Sequence, residues 1–561
     1  MSTRLRQPRV ANRLFILATL ALLSPAFLRA QPTMLDPDIR VAPVTSVVAN
    51  AVRLVADSQS DDLFYMTRAG TIYRVNIASG SSDALYSTVD HGLGNDQVLG
   101  LAAGPDGALY VLGNMITDTT NALRVMRGMP TGSGNDRTWD VVVESDVFYR
   151  SMTAFDHMFN GMIVSPDGDY LYINSGSRTE HGEIQNQNGA IPDLREIPLT
   201  SAIFRVPLDG ELHHLVNDED SLVEKGYLFA DGLRNSFDMT FVRDRLMATE
   251  NSGDRDDGDE INVILEGYHY GFPWRMSNHD TPQRFPGYDP ASDPLLSPTV
   301  SSYQDGFFYN DPTYPPPPDG VTFTDPFPNG GPDAARFRRE SDGAPMDAAT
   351  SNEPAYTLTP HRSPLGIVYA DYDSLTWPYQ DHVFVLNWSS PNSPLIAALG
   401  DTASDLLKIS LVCIPEDCVY GCEQIATGFQ HPIDAVIIRN KLYVLEMVFG
   451  GTGTLWELSL PVVSGSGTEA PGLTSSSLRI SSIYPNPAND GIQVRISSER
   501  VRKSTISVFD VTGRRVLESE VIVTAGESTH TVDLAGLAPG VYTASIRSGL
   551  ENSSHTFAIS R

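Results

Sequence analysis

An all-β chain, a six-bladed β-propeller followed by a small C-terminal β-sandwich, is the architecture this sequence predicts. Three observations carry the prediction. One hairpin pattern recurs six times, helical periodicity is scarce between the copies, and past a Gly/Ser/Thr/Pro-rich stretch the tail reads as short alternating strands.

The copies are AVRLVADSQSDDLFYM from Ala51, VLGLAAGPDGALYVLG from Val98, GMIVSPDGDYLYIN from Gly161, FDMTFVRDRLMAT from Phe237, PLGIVYADYDSLTWPYQDHVFVLNW from Pro364 and PIDAVIIRNKLYVLEM from Pro432. Each sets an apolar, β-branched strand before a turn built on Asp, Gly, Pro or Asn, and follows it with a strand rich in Leu, Tyr and Val. A hairpin repeated with further strands between its copies is the pattern of a propeller whose blades begin with that hairpin.

Around this repeat the chain divides in order. Residues 1–30 read as a secretory signal, with Arg4, Arg6, Arg9 and Arg13 ahead of the apolar run LFILATLALL and a small residue, Ala30, at the cut. Residues 31–460 are the propeller, 461–478 the linker and 479–561 the sandwich. The segment 277–360, rich in Pro, Asp, Tyr and Phe, is an insertion that serves either as a lid with aromatics for sugar rings or as a surface excursion covering a blade.

Charge and cysteine usage exclude several classes of function. A net charge of −30 at pH 7 repels nucleic acid and anionic membranes, and no run beyond the signal is long and apolar enough to span a bilayer. The three cysteines, Cys413, Cys418 and Cys422, lack the fourth ligand of a closed zinc centre, so one local disulfide with one thiol left over is expected of an exported chain.

The first strand of each hairpin lines a propeller's channel, so residues just before it and just after its partner share one rim. On the leading side these are Asp96 and Gln97, His157 and Asn160, Arg234 and Asn235, His361, and His431; on the return side they are 175–178, 250–260, and Asn387 with Trp388. Three histidines, an arginine and an acidic loop from different blades on one rim read as a site. In the loop DRDDGDE, the carboxylates Asp254, Asp256, Asp257, Asp259 and Glu260 repel one another unless a cation sits among them. Calcium could supply it, with free carbonyls at Ser252 and Gly253, and so could Arg255 and Arg234.

The stretches GLRNSFDMTF, ENSGDRDDGDEINVI and GYHYGFPW, supported by DHMFNGMIVSPDG and HRSPLGIVYADYDSLTWPYQDHVFVLNW, resemble the glucose/sorbosone dehydrogenase family of quinoprotein six-bladed propellers. The resemblance runs from about residue 51 to 458. It implies a pyrroloquinoline quinone (PQQ) cofactor at the rim, calcium holding it, and oxidation of a sugar or polyol at a carbon bearing a hydroxyl. By position, His157 resembles the base that takes the hydroxyl proton, Arg234 the cation that polarises the quinone oxygen, and Asn235 an accompanying ligand. The carbonyls of Ser252 and Gly253 match the calcium-binding positions. Asp96, Gln97, His361, Asn387, Trp388 and His431 complete the expected cofactor contacts. Where the better-studied soluble glucose enzymes place a lysine and an arginine pair, this chain reads LNWSSPNS and FQHPIDAV. The alternative is a propeller that binds glycan or protein at the cell surface without redox chemistry.

In the tail, YPNPAND, FDVTGRRV and LAPGVYT resemble the C-terminal sorting domain of the type IX secretion system. That resemblance implies recognition by the secretion machinery, passage through the outer membrane, and surface attachment or release.

Overall fold

In the computed structural model the described residues are 31–93, 97–132, 135–187, 189–351, 353–371, 379–414, 417–461, 478–498, 502–510, 515–524, 526–548 and 551–560. The expected signal lies outside them, as do Asp96 and nearly all of the linker. The chain separates into a unit ending at Val463 and a second from Ser464.

Each of the six hairpins forms where the alternation places it. The leading strands are Ala51–Ala56, Gln97–Ala103, Phe159–Val164, Met239–Val242, Pro364–Ala370 and Pro432–Ile438, and each pairs antiparallel with the strand after its turn. These six strands touch one another in sequence, and the last touches the first, so they form a closed ring with one sheet radiating from each. The first unit is therefore a six-bladed β-propeller. Closure comes from the N-terminal strand Arg40–Val47, which pairs with Gly453–Ser459 as the outer strand of blade 6 and so ties the start of the propeller to its last blade.

The inner strands are nearly all bulged at the rim end. Register shifts fall at Ala51/Arg53, Val98/Gly100, Phe159/Met162, Pro364/Gly366 and Pro432/Asp434. A bulge bends its strand and turns main-chain groups out of the ladder, here into the channel. The strands then approach so closely that a Cβ on Gly100 would stand 2.5 Å from the Asn160 carbonyl oxygen, and one on Gly161 2.6 Å from that of Phe237.

Arg53 spans the channel beneath the rim. Its Nε donates to Leu99 O at 2.8 Å and its Nη2 to Phe237 O at 2.7 Å, and Asp238 lies 3.7 Å from Nη1. Burial pushes the Asp238 carboxyl up from 3.8 to about 6, although Arg53 opposes the shift, and burial raises Asp434 of blade 6 with it. A carboxyl raised in the folded state binds protons that the unfolded chain has released. Its contribution is complete below its unfolded value and disappears as pH rises through about 6. Urea midpoints of the wild type should therefore fall between pH 4 and pH 6 more steeply than those of Asp238→Asn, and parallel curves would rule Asp238 out as the cause.

The insertion both widens a blade and reaches the rim. Its strand Pro328–Pro332 joins the outer strand Asp417–Thr427 of blade 5 in parallel, widening that sheet, while residues 293–314 lie against the rim loops of blades 3 and 4. Cys422 is a buried free thiol, raised by that burial. The strands bearing Cys413 and Cys418 put those two Cα positions opposite each other, and their side chains lie outside the described residues.

In the second unit, Leu478–Tyr484, Gly491–Ser498 and Gly526–Asp533 form one antiparallel sheet, and Arg502–Asp510, Arg515–Val523, Gly540–Ser548 and Glu551–Ile559 form another. Inward residues of both, including Ile492, Val494, Val508, Ile546 and Phe557, make one core. The unit is the expected β-sandwich. Among the described residues no helix is long and apolar enough to cross a membrane.

Candidate active site at the propeller rim

Bulged inner strands and short connections deliver the loops of blades 3 and 4 to one place on the rim. Gly176, at the exit of the second strand of blade 3, marks how close they come. A Cβ there would lie 2.4 Å from the His157 Cβ, 3.0 Å from Asn235 Oδ1 and 3.4 Å from the Arg234 carbonyl oxygen. The predicted base and the predicted cation are thus neighbours across a glycine that leaves them room.

Hydrogen bonds fix the tautomer of His157. Ser177 Oγ donates to Thr179 O at 2.8 Å, so toward the imidazole it acts as acceptor, and it lies 3.1 Å from Nδ1. The proton therefore sits on Nδ1 and the lone pair on Nε2. Burial, reinforced by the Arg234 charge, pushes the His157 pKa down to about 3, so the ring is neutral at any working pH.

Arg234 is buried and held by main-chain oxygens. Nε donates to Glu180 O at 2.9 Å, and Nη1 donates to Ser252 O at 2.9 Å and Asn251 O at 3.2 Å. Its backbone N–H donates to Glu250, whose carboxyl is raised first by burial and next by Glu260. Asn235 donates to Asn251 Oδ1 at 2.7 Å and accepts from Asn160 at 2.8 Å. This asparagine chain locks the Arg234–Asn235 pair to both hairpins.

The acidic loop is neutralised from within the protein. Arg255 pairs with Asp257 at 2.6 Å and Asp293 at 2.9 Å, and His279 also reaches Asp257 at 2.9 Å. Asp256 takes Arg338 and His361, each at 2.7 Å. Asp254 accepts from Ser302 N at 3.0 Å, Asp259 from Ser252 N and Ser363 N, each at 2.8 Å, and Glu260 from Asn262 and Ser277 N, each at 2.6 Å. Burial lowers the charged form of His361, but Asp256, Asp259 and Asp254 outweigh it and leave its pKa raised.

As arranged, these residues do not fit a calcium ion. The Ser252 carbonyl already accepts from Arg234, a Cβ on Gly253 would meet Glu180 Oε1 at 2.4 Å, and each carboxylate has a protein donor. Among the described residues, no group of three or more His, Cys, Asp or Glu is placed to hold a metal.

The remaining expected contacts divide. Gln97 accepts from Arg68 Nη2 at 2.5 Å, and Asp96 lies outside the described residues. Asn387 is corrected. It is fully buried, donating to Asp405 at 2.8 Å, because it ends a strand whose last residue turns into the blade. His361 is likewise turned to Asp256. Trp388 and His431 do meet, with ring centroids 4.3 Å apart, and exposed Phe449 stands edge-on to Trp388 at 6.2 Å. Trp388 Nε1 is buried without a hydrogen-bond partner.

Three groups escaped the sequence reading. Arg68 stands on the rim after the second strand of blade 1, and Glu180 and His181 follow the 175–178 segment. His181 Nδ1 lies 2.8 Å from Glu180 Oε2. Burial opposes charging of His181, but Glu183 and Glu180 outweigh it and raise the pKa. The string TEHGE immediately beyond a rim segment was the available signal.

Residues 54–307 match the Glucose / Sorbosone dehydrogenase family and residues 482–560 the Secretion system C-terminal sorting domain. Among solved structures, the PQQ-bound aldose sugar dehydrogenase of Streptomyces coelicolor aligns at 18% identity over 75% of this chain and 97% of its own, with a TM-score of 0.43. The apo-form soluble aldose sugar dehydrogenase of Escherichia coli aligns at 15% identity over 75% and 100%, with a TM-score of 0.45. No curated protein matches the chain.

Proposed function

From a chain that carries a glucose/sorbosone dehydrogenase region in its propeller and a secretion sorting domain at its C-terminus, we propose an exported quinoprotein dehydrogenase that oxidises a sugar or polyol with PQQ. The sorting domain would pass it through the type IX machinery to the cell surface or the medium. The supporting observation is the neutral His157, proton on Nδ1 and lone pair on Nε2, next to the fixed charge of Arg234.

The rim fits a flat, anionic cofactor. The orphaned Trp388 N–H and the half-buried Arg68 offer donors, and the Trp388–His431 pair offers an aromatic surface. When bound, the quinone accepts the hydride. The protein's part is to take the hydroxyl proton on His157 Nε2 and to set the Arg234 guanidinium, already oriented by three carbonyls, where negative charge develops. Ser177 keeps the imidazole in the accepting tautomer throughout. Calcium enters none of these steps.

Incubating the purified mature chain with PQQ tests the reading. A bound-cofactor absorbance band together with dye reduction on a panel of sugars and polyols is the expected outcome. Absence of both would leave the non-redox binding propeller.

A further inference from the structure

The insertion folds back on the rim loop of blade 4 and forms with it a cavity of about 400 Å³. That volume falls in the range of small-molecule sites, roughly 300–1,000 Å³. One wall is the end of the rim loop at Asp256 and Gly258, and the other is the hairpin that pairs Arg336–Arg338 with Pro345–Asp347. The walls are fixed to each other. Ser277 Oγ donates to Tyr356 O, Leu358 N donates to Asp259 O at 2.8 Å, and a Cβ on Gly258 would overlap the Tyr356 carbonyl oxygen. The cavity is therefore preformed rather than dependent on a ligand to close it.

Its chemistry narrows what it would take. Every charged side chain on the wall has an opposite partner. Arg338 holds Asp256 at 2.7 Å, Arg339 holds Asp342 at 3.1 Å and Glu353 at 3.6 Å, Glu340 lies 3.8 Å from Arg255, and His279 meets Asp257 at 2.9 Å. An ionic ligand would lose hydration there and find no free counter-charge. A neutral ligand with many hydroxyls meets no such penalty. The side chains of Arg339 and Glu353 are 38% and 50% exposed, so a guanidinium donor and a carboxylate acceptor stand together, and a hydroxyl both accepts and donates. Asn278 and Ser341, both exposed, add further polar groups of either kind, while the partly exposed rings of Phe337 and Tyr356 supply apolar surface.

We propose that this cavity is a second binding site, for a neutral saccharide unit, separate from the place where His157 would act. Asp256 on its wall is four residues beyond Ser252, whose carbonyl holds Arg234, so at most about 14 Å of extended chain lies between the two sites. One saccharide chain would thus be anchored by the insertion while another of its units reaches the rim. The site needs no quinone and no redox step; only its ligand class rests on the proposed function.

Glucose, maltose and cellobiose are the probes, with glucuronate as the charged control. In saturation-transfer NMR without PQQ, the mature chain should bind at least one neutral sugar, and glucuronate no more tightly. Ser341→Trp, which puts an indole at an exposed wall position, should weaken that binding at least tenfold, and crystals of the unaltered chain soaked in the same sugar should show it between Arg339 and Tyr356. Undiminished affinity in the variant would overturn the proposal, as would preference for glucuronate, no sugar bound in solution, or binding at crystal concentration only. The soaked structure and the wild-type titration stand even if Ser341→Trp does not fold. Dye reduction with PQQ is measured separately, so sugar held in the cavity without turnover would sink the dehydrogenase reading and leave the saccharide site in place.

Discussion

His157→Ala is expected to lower kcat for dye-linked sugar oxidation by about 10²–10⁴-fold, the usual contribution of a positioned general base, while leaving the PQQ absorbance band in place. The reason lies in what the ring touches. Its Nδ1 is committed to Ser177, and nothing in its surroundings makes it a cofactor anchor. The acid limb carries a second signature. Because burial and Arg234 hold the pKa near 3, His157 stays an unprotonated base until the pH falls through about 3, and kcat should show no His157 inflection near 6.5. Steady-state kinetics across pH, with quinone binding measured separately, check both statements. Turnover that survives the substitution would remove His157 from the role, and loss of the absorbance band would make it a binding residue instead.

Arg362→Met is expected to destabilise the propeller by about 3–5 kcal/mol, the range for removing one partner of a buried ion pair. The Arg362 side chain is 1% exposed and is held by Asp401 and Asp405, which are themselves buried. Asp405 also receives Asn387 and Gln424, so the substitution leaves two carboxylates without their cation and disturbs the end of blade 5. A triple replacement, with both aspartates also made apolar, should recover much of the loss, since the cost comes from the uncompensated charge rather than from the missing pair. Urea unfolding of the propeller transition decides it. An unchanged midpoint in the single variant would show that the triad is dispensable.

The propeller was legible because its signals are local. A two-residue alternation, a turn rich in Asp, Gly, Pro or Asn and a second alternating run specify a hairpin without reference to the rest of the chain, and all six hairpins stand where those runs are. Once the leading strands line a channel, position along the chain also places His157, Arg234 and Asn235 on one rim. The asparagine at the end of blade 5 was misplaced by the same rule. A strand end reaches the rim level, but whether its side chain faces solvent or the blade depends on a partner such as Asp405, which comes from the next strand.

The sequence by itself therefore determined the blade count, the tail sandwich, and the neighbourhood of His157 and Arg234, all properties of short-range pattern and strand order. Tertiary structure alone decided the state of the charges. The acidic loop looked like an ion site because its repulsions are visible in seven consecutive residues, while the groups that relieve them, Arg338, His361, His279 and the Ser363 amide, arrive from the insertion and from blade 5. His181 was enclosed in the same way, when Phe308 and Tyr314 closed over it. Electrostatic energies depend on distance and desolvation, and both are set only when segments far apart in the chain pack together.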